Sequence, residues 1–167
     1  NQTLNTNGEF YVSRLVVNKE IDKTYKVQLS ANAPNLFRVF GRCTDGGAQN
    51  DYETESQNSN AVAIINGTLQ AKANIFLPLQ VGNGGNYNIN RTAALWIDGG
   101  SAAKGAPLVG PGNSQAIVIY GEVRVTDGEM HADCTSGFTL RGNGLLQVDG
   151  GTVYANQIRT SIYGPTN

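Results

Sequence analysis

Hydrophobic and polar residues alternate with a period of two along most of this chain, as they do in strands that bury one face. Residues 9–20 and 24–30 alternate in this way, whereas helical periodicity is confined to one weak amphipathic stretch at 33–40. Short apolar runs between turn residues predict further strands at 61–65, 73–81, 92–98, 116–120, 123–126, 137–140, 145–148 and 152–158. The pattern therefore predicts an all-β fold with short strands joined by Gly and Asn turns.

One short phrase, a glycine turn followed by an alternating strand, occurs four times. Its copies begin at Asn7, Asn66, Asp127 and Gly150, and each has glycine at its second position. Glycine adopts the positive φ that a tight turn needs. A chain that reuses one β unit is typically extended, as in a solenoid, a stalk or a fibre, rather than a pocketed enzyme. The copies are unevenly spaced, so they define no strict solenoid period.

Two polar segments interrupt the strands. Residues 41–60 have no apolar periodicity, and residues 82–90 read GNGGNYNIN. The first predicts a long polar loop or connector. We therefore expect an N-terminal β segment at 1–60, which includes this loop and serves as a stalk or connector, and a β-rich tip domain at 61–167.

The composition narrows the classes of function. Charged residues make up only 15% of the chain, and glycine occupies 21 positions, so uncharged polar groups supply the solubility, as in extracellular or virion β proteins. The net charge is −1 and no basic cluster is present, which argues against nucleic acid as the main partner. Cys43 and Cys134 have no CxxC spacing, and both a disulfide and two buried thiols remain open.

The sequence offers little catalytic chemistry. It contains no P-loop, GxSxG or HExxH motif, and its only histidine, His131, occupies an outward position of the repeated phrase. We expect a surface histidine there, with no catalytic residue, metal site or cofactor. A polysaccharide-degrading enzyme would need two carboxylates across a sugar cleft. Asp45, Asp51, Glu53 and Glu55 cluster in the polar loop, where a solvated acidic surface is the simpler interpretation.

Candidate binding residues are the aromatic residues of polar loops, because a ring can stack on a sugar or fill a protein pocket at little entropic cost. The candidates are Tyr52 and Tyr87, with Asn83, Asn86 and Asn88 as hydrogen-bonding neighbours. Trp96 lies within the run Leu95-Trp96-Ile97 and is predicted to pack at a subunit interface.

Three segments of the second half, at 92–105, 116–128 and 144–158, carry a strand, a glycine turn and a further strand built from small residues. This text resembles the C-terminal, receptor-binding region of bacteriophage tail fibres and tailspikes. The resemblance implies an elongated, intertwined homotrimer that acts as a structural and host-recognition element without enzymatic activity. It also implies location in the virion tail, with other tail proteins and a bacterial surface polysaccharide or outer-membrane protein as partners.

A trimer also has a physical rationale, since a single thread of short strands would bury its apolar faces against two further copies and lose its exposed edges. Other folds and functions stay open. The fold alternatives are a β-helix and a β-sandwich. The alternative functions are a polysaccharide-degrading β-helical lyase or hydrolase fragment and a monomeric bacterial adhesin or carbohydrate-binding module.

Overall fold

A computed structural model describes residues 1–12, 14–20, 23–34, 36–39, 62–79, 86–104 and 116–161. These residues form strands and turns, and no helix occurs among them. The strands are β1 (Gln2–Thr6), β2 (Phe10–Val12), β3 (Leu15–Asn18), β4 (Lys26–Ala31), β5 (Phe37–Val39), β6 (Val62–Ala71), β7 (Phe76–Pro78), β8 (Tyr87–Ile89), β9 (Ala93–Lys104), β10 (Ile117–Ile119), β11 (Glu122–Ala132), β12 (Phe138–Arg141), β13 (Leu145–Val148), β14 (Thr152–Ala155) and β15 (Ile158–Ser161). The all-β prediction is confirmed for the described part of the chain.

Every strand pair among the described residues is parallel, and each strand pairs with one from a neighbouring circuit of the chain. The strands fall into six successive coils that stack into a parallel solenoid. Face 1 contains β1, β4, the end of β6, the start of β9, the start of β11, and β13. Face 2 contains β2, β5, β7, the end of β9, the end of β11, and β14. Face 3 contains β3, the start of β6, β8, β10, β12 and β15.

The interior of the solenoid is a set of apolar rows that run from coil to coil. On face 1, Val27, Leu69, Leu95, Val123 and Leu146 are successive partners in register, and the three central members are fully buried. Residues on either side of each row member point to the opposite face of the sheet. The period of two in the sequence therefore separates an apolar interior from a polar exterior.

The repeated phrase forms corners of the solenoid. Gly128 and Gly151 adopt φ values of 89° and 72° at the corners between faces 1 and 2 of the last two coils. Each is followed by a strand, as the sequence predicts. The chain does not reverse direction there, because the corner passes it from one parallel sheet to the next.

The copies of the phrase are unevenly spaced for two reasons: the copy at Asn66 lies at the corner between faces 3 and 1, and the connections between faces 2 and 3 differ in length. The chain connects these faces through residues 40–61 in the second coil, 79–86 in the third and 105–116 in the fourth. In the last coil, only Asn156 and Gln157 make the same connection. The strands that flank the long connections nevertheless pair in register with neighbouring coils.

Two expectations from the sequence are changed by the fold. The weak helix at 33–40 is wrong, because β5 lies within this stretch and buries Phe37 and Val39 on one side, as period two requires. The rationale for a trimer also changes, since the coiled chain buries an apolar interior against itself. The trimer itself stays a prediction, as does the division into 1–60 and 61–167, although β4 and β6 pair across residue 60.

No helix capable of spanning a membrane is found in the described residues.

Candidate functional site

The predicted binding residues do not form one site in the described part of the chain. Tyr87 is fully buried in β8 and its hydroxyl donates a hydrogen bond to the Val62 carbonyl (2.8 Å), so its predicted exposure on a loop is wrong. Burial raises the pKa of Tyr87 well above its ordinary value. Asn86 accepts a hydrogen bond from the Ala116 amide (2.9 Å), and Asn88 is exposed on β8. Tyr52 and Asn83 lie outside the described residues.

A groove of about 380 Å³ lies on the outer surface of face 1 and offers a better site. This volume falls within the range of small-ligand sites. Thr68, Ala94 and Glu122 are successive register partners along it, and Trp96 and Arg124 lie in the adjacent row. The other lining residues are Asn1, Lys23, Thr24, Lys26 and Leu95. We call this feature the Trp96 groove.

Trp96 is the one aromatic side chain among the residues that line the groove. It is partly exposed, because its neighbours Leu95 and Ile97 point into the interior and direct its side chain outward. The Lys26 ammonium lies 4.9 Å from the centre of a Trp96 ring, and the Arg124 guanidinium carbon lies 5.2 Å from it. Both distances allow cation–π attraction. The predicted packing role of Trp96 at a subunit interface is not tested by this placement.

A chain of hydrogen bonds fixes the orientation of the Trp96 indole. Its Nε1 donates to Thr126 Oγ1 (2.8 Å), and that hydroxyl donates to Asp98 Oδ1 (3.0 Å). The other carboxylate oxygen of Asp98 accepts hydrogen bonds from Lys72 and Gln70. Because three successive coils supply these groups, the ring is held by the stacking of the solenoid.

The Asp98 carboxylate makes this arrangement sensitive to acid. Burial raises the pKa of Asp98, but the hydrogen bonds from Lys72, Thr126 and Gln70 together outweigh burial, and the net shift is downward. A lowered pKa means that ionised Asp98 stabilises the fold above its ordinary pKa of about 3.9, and that this contribution is lost as the pH falls through the folded-state value.

The Asp98→Asn variant should therefore be less stable than the parent at neutral pH, and the difference should shrink as the pH falls below about 4. Urea unfolding of both proteins across this range measures it. Glu9→Gln, at an exposed position before β2, is the control and should follow the parent curve. A difference between Asp98→Asn and the parent that does not change with pH would contradict the role given to the carboxylate.

The groove carries an excess of positive charge. Lys23, Lys26 and Arg124 line it, against Glu122 as the one carboxylate among its lining residues. Glycoside hydrolysis normally uses two carboxyl groups, and the Asp45, Asp51, Glu53 and Glu55 cluster lies outside the described residues. Within the described ranges, no group of three His, Cys, Asp or Glu residues could hold a metal ion. The lining of the groove is therefore predominantly cationic.

His131 lies on the outer surface of face 2, at the outward position expected for it. Its ring stacks on Tyr154, the register partner in the next coil, with ring centres 4.3 Å apart. Its Nε2 lies 3.1 Å from Glu129 Oε2, and its Nδ1 lies 3.4 Å from Asp133 Oδ2.

Cys134 is buried, with its Sγ 3.6 Å from the Gly137 carbonyl oxygen, whereas Cys43 lies outside the described residues.

The outward orientation of Trp96 in the groove could be predicted from the sequence. In the run Leu95-Trp96-Ile97, period two places Trp96 opposite its two neighbours, and that pattern alone indicates an outward ring. Lys26 and Arg124 carry no such signal, because only the stacking of coils brings them to the ring.

No protein-family model, curated protein or solved structure matches this chain.

Proposed function

We propose that this chain is a host-recognition element of a bacteriophage tail fibre or tailspike, and that it binds a bacterial surface glycan through the Trp96 groove without enzymatic activity. The observation that carries this proposal is the partly exposed Trp96 ring, held by Thr126 and placed between Lys26 and Arg124. Aromatic side chains dominate binding energies because they bury a large area at low entropic cost. The resemblance of the second half to tail fibre sequences supports the same function.

The solenoid is well suited to work outside a cell. Its backbone groups pair from coil to coil along the whole of face 1 and along parts of faces 2 and 3. Its outer surface gains solubility from uncharged polar groups. Such a scaffold presents a site on regular strands, where side-chain positions are better fixed than on loops. A homotrimer, as the resemblance implies, would present three grooves and strengthen weak binding through avidity.

The polysaccharide-degrading alternative gains support from the parallel coils, because that alternative is a lyase or hydrolase with a β-helical fold. Binding without turnover is favoured because Glu122 has no second carboxylate beside it in the groove lining. The two functions differ in a simple observable. A depolymerase releases new reducing ends from a bound polysaccharide, whereas a recognition element leaves the polymer intact.

The Trp96→Ala variant should bind surface glycans about 30-fold more weakly than the parent, as expected when an aromatic anchor is removed. Binding to purified bacterial polysaccharides, measured by biolayer interferometry, tests this. Phe76→Ala removes an exposed ring from face 2 and is the matched control.

Three results would contradict parts of the proposal. Equal binding by Trp96→Ala and Phe76→Ala would exclude the groove as the site. New reducing ends after incubation would favour the depolymerase. A mass near 17.7 kDa in sedimentation equilibrium, rather than about three times that value, would exclude the trimer and favour a monomeric adhesin.

A further inference from the structure

We infer that the Trp96 groove selects carboxylated sugars, such as uronic acids, and that the Lys26 ammonium is the group that recognises the carboxylate. This inference rests on the proposed function, because it specifies the class of glycan that the same groove binds. Three observations carry it: the local excess of positive charge, the pairing state of each cation, and the position of Lys26 relative to the ring.

The positive charge of the groove is a local feature. The whole chain has a net charge of −1, whereas three cationic side chains and one carboxylate line the groove. A concave surface of one predominant sign concentrates ligands of the opposite sign. A neutral glycan would gain nothing from this arrangement, while an anionic one would be attracted to it.

The three cations differ in the partners that they already have. Arg124 donates from Nε and Nη2 to Asp149 Oδ2, at 3.1 and 2.9 Å. Lys23 Nζ lies 3.6 Å from Glu122 Oε2. Lys26 has no carboxylate partner within the described ranges, and its ammonium instead lies over the Trp96 ring. Lys26 is therefore the cation best able to accept an anionic partner.

The position of Lys26 orients a ligand as well as attracting it. Lys26, Thr68, Ala94 and Glu122 are successive register partners across four strands. At about 4.8 Å between strands, this row spans about 14 Å. Thr68 and Ala94 are small and nearly buried, and Lys23 lies over part of this row, since Thr68 Oγ1 donates a hydrogen bond to the Lys23 carbonyl and Lys23 Nζ lies 3.6 Å from Glu122 Oε2. Because Glu122 is already paired, a sugar chain bound in the groove would place its carboxylate at Lys26, with Trp96 beside it.

The test uses polysaccharides that differ only in charge. The panel contains polygalacturonate, alginate and hyaluronate, each paired with its carboxyl-reduced neutral form, and binding is measured by biolayer interferometry on the full chain. We expect at least one acidic polymer to bind. Its neutral form should bind at least about tenfold more weakly. Binding of the acidic polymer should also weaken as salt is raised, because exposed charge interactions are screened.

Variants then assign the effect to one residue. Lys26→Gln should weaken binding of the acidic polymer about tenfold and leave any binding of the neutral form unchanged. Arg159→Gln removes an exposed cation from face 3 and should have no effect. Circular dichroism and urea midpoints identical to the parent establish that both variants are folded.

Failure of this inference can be told from failure of the proposed function. Equal binding of acidic and neutral forms, or binding of neutral polymers alone, overturns the selectivity for carboxylated sugars. Glycan recognition by the groove still stands in that case, provided that Trp96→Ala weakens the binding. Unchanged binding in Lys26→Gln overturns the role of Lys26. If Trp96→Ala binds every polymer as the parent does, the groove is not the site and both proposals fail. If none of the acidic polymers binds, the inference is wrong for the uronic acid class.

Discussion

The Gly128→Ala variant is expected to lose about 3 kcal/mol or more of unfolding free energy, because two independent costs meet at this corner. Gly128 has a φ of 89°, which side-chain-bearing residues rarely adopt. A Cβ at this position would also collide with the Gly100 carbonyl oxygen of the preceding coil. That oxygen belongs to the backbone of a paired strand, so it cannot move without disturbing the ladder between β9 and β11.

Two control substitutions separate these costs. Gly142→Ala introduces the positive-φ penalty alone, since φ is 59° and nothing lies within 4 Å of its Cβ, and should cost about 1 kcal/mol. Gly8→Ala has open space around its Cβ and should be close to neutral. Urea unfolding of the three variants measures the series. If Gly128→Ala were no worse than Gly142→Ala, the close contact between coils would be excluded as a constraint.

Leu95→Ala is expected to cost about 2–5 kcal/mol, the usual range for truncating a fully buried leucine. Leu95 is the central member of the interior row on face 1, with Leu69 and Val123 as its register partners. All three are fully buried. A cavity at this point removes contacts to the coils on both sides, and coil-to-coil contacts are what a solenoid relies on for stability.

Leu145→Ala is the matched control, because Leu145 is 46% exposed on the outer side of β13. It should change stability by less than about 0.5 kcal/mol. Denaturant midpoints of the two variants provide the comparison. Similar losses from both would contradict the assignment of Leu95 to the interior and Leu145 to the exterior.

Strand positions could be predicted from this sequence, whereas their pairing could not. Period-two alternation and glycine turns are local signals, and they located β4, β10, β12 and β13 closely. Parallel pairing joins residues from different coils, as in Lys26 with Thr68. The long connections between faces 2 and 3 hide the regular spacing that would reveal such partners, so alternation alone does not show which strands bury each other's apolar faces.

The errors at individual residues have the same origin. Tyr87 was predicted to be exposed because its neighbours are glycine and asparagine, although Tyr87 and Ile89 flank the outward Asn88 as a buried strand requires. Here local composition outweighed alternation in the prediction. For Trp96, alternation alone indicates an outward ring, but the cations on either side come from distant coils and carry no local signal.

The corner between faces 2 and 3 gives this chain a place where its length can change at little cost. Closing a longer connection between two fixed strand ends costs only about 0.6 kcal/mol for each doubling of its length. Leu79 and Asn86, like Lys104 and Ala116, adjoin strands that pair in register with neighbouring coils, so we expect a change of length between them to leave the sheets in register. A foreign peptide spliced between such positions should therefore leave the Trp96 groove on face 1 undisturbed.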